Sequence, residues 1–249
     1  MNFDFSGLQQ ENLGESQQER FFKAKTILKY LIENMINKNG GEVRSEKEKV
    51  PIALAKDIVP CAAEKAGLDL TKLHIVEKEY HYIPFYNADY LIKLDNALAN
   101  YIVDNIEEYN IPIESDMAIY YENDFIISME LKAYTEISML KRLAFEFREL
   151  RRCYPTVEFV ILQLENALGG DFGSNNYQII GSPSFHSIMA AAGVPVEVLT
   201  LLDGKRSSYK AIHHAGEAKA LSQLKYDRAI SKLAELFIRQ VNRKHFVVY

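Results

Sequence analysis

The sequence predicts an α/β fold, a mixed central β-sheet flanked by α-helices. Three observations carry this expectation. Apolar residues recur at helical spacing near both ends of the chain, the middle changes to two β-rich runs joined by a turn, and the remainder alternates helix-like and strand-like segments. A hairpin followed by helix, strand, helix and strand buries its apolar faces in layers around one sheet.

In chain order, Ser16 and Glu19 have capping-box spacing, in which each side chain satisfies an orphan backbone N–H at a helix start. Phe21, Ala24, Ile27, Leu28, Leu31, Met35 and Ile36 continue at helical spacing, and Gly40-Gly41 is expected to end that helix. A polar loop over residues 42–49 leads to a second helix that starts at Pro51 and is disturbed by Pro60. Residues 72–86 read as a strand. Asn87 is expected to cap a long helix to about Glu108, with Leu91, Leu94, Leu98, Ile102 and Ile106 on one face. Residues 117–121 and 125–132 form a hairpin around the turn-forming triplet Glu122-Asn123-Asp124. Residues 135–152 return to helical spacing, 156–164 form an apolar strand and 184–192 a short helix. A further strand at 195–202 and an amphipathic helix at 217–242 complete the pattern.

Composition bounds the class. The chain has 249 residues, 48% hydrophobic and 25% charged, with a net charge of −5, the balance of a soluble globular protein. A chain of this size buries roughly 70–75% of its unfolded surface, so it needs no disulfide staples. Cys61 and Cys153 are too few for a disulfide framework and lack metal-site spacing. No apolar run approaches the ~18 residues of a membrane span and the polar start lacks a signal-peptide core, so a cytoplasmic location with no membrane partner is expected. Without a repeat or low-complexity linker, residues 1–249 read as one domain, with 1–86 a mainly helical N-terminal region.

The hairpin carries the chemistry. A three-residue turn pairs Tyr121 with Phe125 and sets Asp116 opposite Glu130. Directly opposed residues have Cβ atoms about 4.5–5.5 Å apart, where like charges repel. Lys132 projects from the same face two residues on, while Phe125, Ile127, Met129 and Leu131 are expected together in the core. Two carboxylates and one lysine thus converge at the end of a buried strand. A hard divalent cation, with Mg2+ the expected one, would relieve the repulsion by taking oxygen ligands from Asp116 and Glu130. It would lower the pKa of a bound water and offset charge on a phosphorane-like transition state. Lys132 is placed to orient or deprotonate that water, or to stabilise charge beside it. The same register sets Glu114 opposite Lys132, so an ordinary cross-strand ion pair is the competing reading.

Ser115-Asp116, followed after the hairpin by Glu130-Leu131-Lys132, resembles the PD-(D/E)XK nuclease signature, with Ser115 in place of the usual proline. The resemblance spans about residues 87–202, with the helix and strand order of that family. It implies a restriction-endonuclease-like fold with 87–202 as catalytic core, Asp116, Glu130 and Lys132 as catalytic residues, and Mg2+ as cofactor. Glu146, in the helix after Lys132, stands where some type II restriction endonucleases keep a metal-related acid, which adds it to Asp116 and Glu130 as a metal candidate. Glu107 and Glu108 are weaker candidates for the same role.

Charge is unevenly distributed. Residues 89–124 hold nine acids and one lysine; residues 204–249 hold ten Lys+Arg and three acids, a balance of +7 against −12 for the rest. An acidic pocket beside a basic segment is the pattern of a metal-dependent phosphodiesterase acting on a polyanion. Lys205, Arg206, Ser207, Ser208 and Lys210 are therefore DNA-binding candidates, with Lys205 or Arg206 suited to guanine O6/N7; a solvated basic loop is the plain alternative. Lys141, Arg142, Arg148, Arg151 and Arg152 either face DNA or form a charged outer face. Tyr80, Tyr82, Phe85, Tyr86 and Tyr90 suit stacking on unpaired bases, although core packing is the commoner use of such residues. His213-His214 with Glu217 hint at a metal site, but adjacent histidines point different ways, so a surface or DNA-side role is the expectation, and Gly169–Gly173 lacks any kinase or P-loop context. The resulting expectation is a type II restriction endonuclease acting on double-stranded DNA, as a homodimer that matches a palindromic site. A structure-selective repair or recombination nuclease, or a non-catalytic DNA-binding or protein-interaction domain, are the alternatives.

Overall fold

The computed structural model describes residues 16–36, 40–84, 87–166, 183–202 and 221–246. Its elements are α1 (Gln17–Ile36), α2 (Gly40–Lys65), β1 (Leu73–Pro84), α3 (Ala88–Leu91), α4 (Asn96–Asp104), β2 (Asn110–Tyr121), β3 (Asp124–Thr135), α5 (Ile137–Cys153), β4 (Glu158–Asn166), α6 (Pro183–Ala192), β5 (Glu197–Thr200) and α7 (Gln223–Phe246). The expected α/β architecture is what is found. A five-stranded sheet runs in the order β1-β2-β3-β4-β5. β1, β2 and β3 pair with one another antiparallel, while β4 adds parallel to β3 and β5 parallel to β4, through α5 and α6.

Helices cover both faces. Side chains of α1, α2 and α7 form one core with Met117, Ile119, Ile127, Met129, Val160 and Leu162. Those of α5 and α6 form another with Ala118, Phe125, Phe159 and Ile161. In β4 the consecutive residues Phe159, Val160, Ile161 and Leu162 are all buried, as a strand covered on both sides requires.

The capping box at the start of α1 is formed: Ser16 N donates to Glu19 Oε2 at 2.7 Å and Glu19 N to Ser16 Oγ at 3.3 Å. Gly40-Gly41, expected to end a helix, instead opens α2, and the polar stretch 42–49 forms its first turns. Pro51 and Pro60 both lie inside α2. Each forfeits a backbone hydrogen bond, which burial of Val50, Leu54, Ile58 and Val59 offsets, at about 1.5–3 kcal/mol for each large aliphatic side chain. The single long helix expected over 87–108 is broken. Asn87 caps only α3, Asp95 accepts from Leu98 N at 3.0 Å to start α4, and Ile106–Glu108 is a separate 3-10 turn. Of the five residues placed on its apolar face, only Ile102 is buried.

The hairpin turn is two residues long rather than three. Glu122 and Asn123 both take positive φ, 53° and 72°, the type I′ geometry whose twist matches the strands it joins. Tyr121 therefore pairs with Asp124 and Tyr120 with Phe125. Ile126 is then inserted as a β-bulge, and the register resumes at Ile119↔Ile127 and ends at Met117↔Met129. The bulge restores the residue that the shorter turn removed, so Asp116 and Glu130 still fall level. It also separates Phe125 from Ile127, Met129 and Leu131: Phe125 packs with α5, the other three with α2 and α7, correcting the expected common face.

Beyond Met117↔Met129 the sheet divides. Residues 110–115 of β2 pair with β1, whereas residues 130–135 of β3 pair with β4. Asp116 stands at the start of this fork, in neither register of β2.

Candidate active site

Strand pairing stops where the charged residues begin. With no partner carbonyl from β2, the backbone N–H of Leu131 donates to Asp116 Oδ2 at 2.8 Å, so a side chain satisfies a donor that the ladder leaves open. Glu130 and Lys132 flank Leu131 and share the opposite face of β3. Lys132 Nζ lies 2.5 Å from Asp116 Oδ2 and 2.8 Å from Glu130 Oε2. Glu114, expected opposite Lys132, instead accepts a hydrogen bond from Tyr80 Oη at 2.7 Å. The lysine thus bridges the two acids at the fork rather than forming the simple cross-strand pair.

Buried polar groups hold the surroundings. Ser115 and Ser128, both fully buried, share a hydroxyl hydrogen bond of 2.8 Å. Gln163 is level with Lys132 on β4 and also fully buried. Its Oε1 accepts from Thr135 N at 3.1 Å and its Nε2 donates to Thr200 Oγ1 at 3.0 Å, tying β3, β4 and β5 together. The sequence reading missed Tyr80 and Gln163 as neighbours of the site. Their placement follows from the β1–β2 and β3–β4 registers, which join segments about 30 residues apart and leave no period-two signal.

Burial dominates the electrostatics. Glu130 is 3% exposed, and burial raises its carboxyl pKa to about 7; Lys132 opposes the shift, while the charges on Asp116 and Glu146 reinforce it. For Lys132, burial works against the ammonium, but Glu130 and Asp116 together outweigh it and its pKa is raised. Lys132 is therefore a hydrogen-bond donor in this arrangement. Glu146, on α5, is half-buried, and burial raises its pKa; Arg142 and Lys132 counter this, whereas Asp116 and Glu114 add to it. These couplings bring Glu146 into the electrostatic field of the fork, although its direct ion pair is with Arg142, at 3.5 Å.

The remaining expected residues have other places. Arg148 and Arg152 both pair with the buried Glu149, at 3.0 and 2.5 Å, and Arg151 lies over the Phe159 ring and donates to the Pro155 carbonyl. The Arg148 and Arg152 pairs lie within α5 itself, whereas Arg151 reaches across to β4; Lys141 and Arg142 are exposed. Glu107 and Glu108 sit exposed on the 3-10 turn before β2. Tyr80, Tyr82 and Tyr90 are 54%, 67% and 48% exposed, which overturns their expected core packing. Lys205, Arg206, Ser207, Ser208, Lys210, His213, His214 and Glu217, with Phe85 and Tyr86, lie outside the described residues. Cys61 is buried and Cys153 exposed.

Among the described residues, no group of three or more His, Cys, Asp or Glu side chains is arranged as a ready metal cage. The donor chemistry at the fork nevertheless suits one cation. Two carboxylate oxygens meet at a single positive centre, and Mg2+ is commonly held by only one or two carboxylates while keeping several waters. Among the described residues, no helix is long and apolar enough to cross a membrane.

No protein-family model matches the chain. Over 198 residues it is 31% identical to type II restriction enzyme DdeI of Desulfomicrobium norvegicum, a span covering 79% of this chain and 82% of that enzyme. Among solved structures, the native BbvCI A2B2 tetramer is similar with a TM-score of 0.36 and 12% identity, covering 96% of this chain and 94% of that one.

Proposed function

This chain belongs to the type II restriction enzyme family, and from that premise we propose that it cuts double-stranded DNA at a short recognition sequence by Mg2+-dependent phosphodiester hydrolysis. The observation that carries the site assignment is the meeting of Asp116, Glu130 and Lys132 at the fork. Asp116 and Glu130 would hold the cation, with Glu146 close enough in charge to join them through water. When bound, Mg2+ supplies charge neutralisation at the phosphate and an acidified water. Lys132, kept protonated by its two acids, donates a hydrogen bond to the attacking water or to a non-bridging phosphate oxygen. Water adds to phosphorus in line with the departing O3′, whose P–O bond breaks. The departing O3′ takes up a proton from solvent water, and the attacking water gives up its proton to solvent, so the products carry a 5′-phosphate and a 3′-hydroxyl. The buried Ser115–Ser128 and Gln163 contacts fix the strands beneath these groups, so the backbone that carries Asp116 and Glu130 needs little reorganisation.

The segment Lys205–Lys210 is the proposed phosphate-contacting surface, supported by the +7 balance of residues 204–249. A homodimer is the proposed assembly. Eight of the fourteen exposed large apolar side chains among the described residues fall between Tyr80 and Ile106. α4 buries only Ile102, although it is too short to be stable without packing. That arm of β1, β2, α3 and α4 is acidic, with one lysine between residues 89 and 124, so a protein surface suits it better than a phosphate backbone.

The test is incubation of the protein with phage DNA and Mg2+, with and without chelator. Discrete fragments that disappear with chelator are expected. Cutting confined to branched or flapped DNA would replace this reading with a structure-selective nuclease, and no cutting with any divalent metal would remove it.

A further inference from the structure

Asp116 Oδ2 and Glu130 Oε2 converge on one point, and Lys132 Nζ stands at it, 2.5 and 2.8 Å away. The lysine side chain is 17% exposed and the Glu130 side chain 4%, so water offers these groups little alternative solvation. A divalent cation taking the same two oxygens as ligands would bind at about 2.0–2.1 Å if it were Mg2+, inside the space of the ammonium. Two cations on two shared oxygens repel strongly where the dielectric is low. The Leu131 N–H on Asp116 Oδ2 is backbone and stays. Lys132, on a flexible four-carbon stem, is the donor that can swing away.

We propose that Lys132 is a tethered counter-ion that competes with the divalent cation for Asp116 and Glu130, so that loading the site and releasing the ammonium toward a substrate phosphate are one coupled movement. This rests on the reading of Asp116 and Glu130 as metal ligands. In addition to orienting water, Lys132 then sets the cation affinity of the site. Neutralising it strengthens cation binding while it abolishes cutting, whereas a lysine that only assists the bound cation would leave affinity unchanged or lower it.

The experiment titrates Mn2+ into the full chain without DNA, by calorimetry or by the loss of free Mn2+ resonance signal. It compares the wild type with Lys132→Met, Lys132→Gln, Lys132→Arg and the double variant Lys132→Met, Asp116→Asn. The expected result is affinity about tenfold or more tighter in the Met and Gln variants and within about twofold of wild type in the Arg variant. Mn2+ should also raise the melting temperature of the Met and Gln variants more than that of the wild type, which guards against a misfolded variant. Equal or weaker binding by both neutral variants, with the double variant weaker still, overturns the competition while Asp116 remains a ligand. If the double variant binds as tightly as Lys132→Met, the ligand assignment itself fails.

Discussion

The two ends of the central hairpin are built on opposite terms. From Tyr121↔Asp124 to Met117↔Met129 the strands pair, and Met117, Ile119, Ile127 and Met129 are fully buried. One residue further, pairing stops and Asp116, Glu130 and Lys132 meet across the opening. The closed end is held by apolar packing and a ladder interrupted only by the Ile126 bulge; the open end is held by charges that use a backbone donor the ladder has released. The difference teaches that the charged groups are mounted on the fold without being its main support. Changes at the open end should remove chemistry with little loss of stability, and changes at the closed end should do the reverse.

The largest effect is expected at the open end. Asp116→Asn should lower single-turnover cleavage about a thousandfold or more, since it removes a charge proposed to hold the cation, while urea unfolding moves by less than about 1 kcal/mol. Retained cutting would dissolve the distinction between the two ends. At the closed end, Ile127→Ala should cost about 2–5 kcal/mol in urea unfolding, with cleavage per folded molecule close to wild type. A stable Ile127→Ala protein would show that the bulged hairpin is not the core's anchor.

The pH dependence of stability separates the ends more finely. His81, on the β1 side of the fork, stacks on Phe125 at 4.5 Å and meets Tyr154 edge-on at 5.5 Å. Burial lowers its pKa below the ordinary 6.5, partly countered by Glu79. The unfolded chain therefore takes up a proton that the folded chain resists. The stability from neutral His81 is present above pH 6.5 and lost as pH falls through and below it. In His81→Phe the acid side of the stability profile should flatten; a profile parallel to wild type would contradict the assignment. Smallest for folding is Tyr101→Ser on the exposed face of α4, which should change stability by no more than about 0.5 kcal/mol. In the proposed homodimer it should shift sedimentation toward monomer.

The hairpin also shows how far the sequence could be read. The level of Asp116 with Glu130 was legible, but through two compensating miscounts: Glu122 and Asn123 make a two-residue turn, and Ile126 adds a bulge. A bulge is set by packing on both faces of the finished sheet, which local alternation does not encode. The fork itself was invisible, because it arises where β2, held to β1, parts from β3, held to β4, a choice of partners made across long sequence separations. Helix ends fared unevenly. The Ser16–Glu19 box carries its own signal, and Asp95 three residues before Leu98 is a cap that could have split the helix over 87–108. The start of α2 at Gly40-Gly41 runs against intrinsic propensity, and Tyr80 and Tyr82 stay exposed because they alternate along β1 with the buried His81 and Ile83 and so take the opposite face.

Lys132, between Asp116 and Glu130, is proposed to serve the chemistry of cutting rather than the fold or the grip on DNA. Its most direct test is Lys132→Ala assayed beside wild type on the same DNA, for cleavage in Mg2+ and for DNA binding in Ca2+. Discrete fragments are expected from wild type, none from the variant, and DNA binding by both within about threefold, because the proposed phosphate-contacting segment Lys205–Lys210 would carry the affinity. Cleavage by Lys132→Ala at the wild-type rate would contradict it.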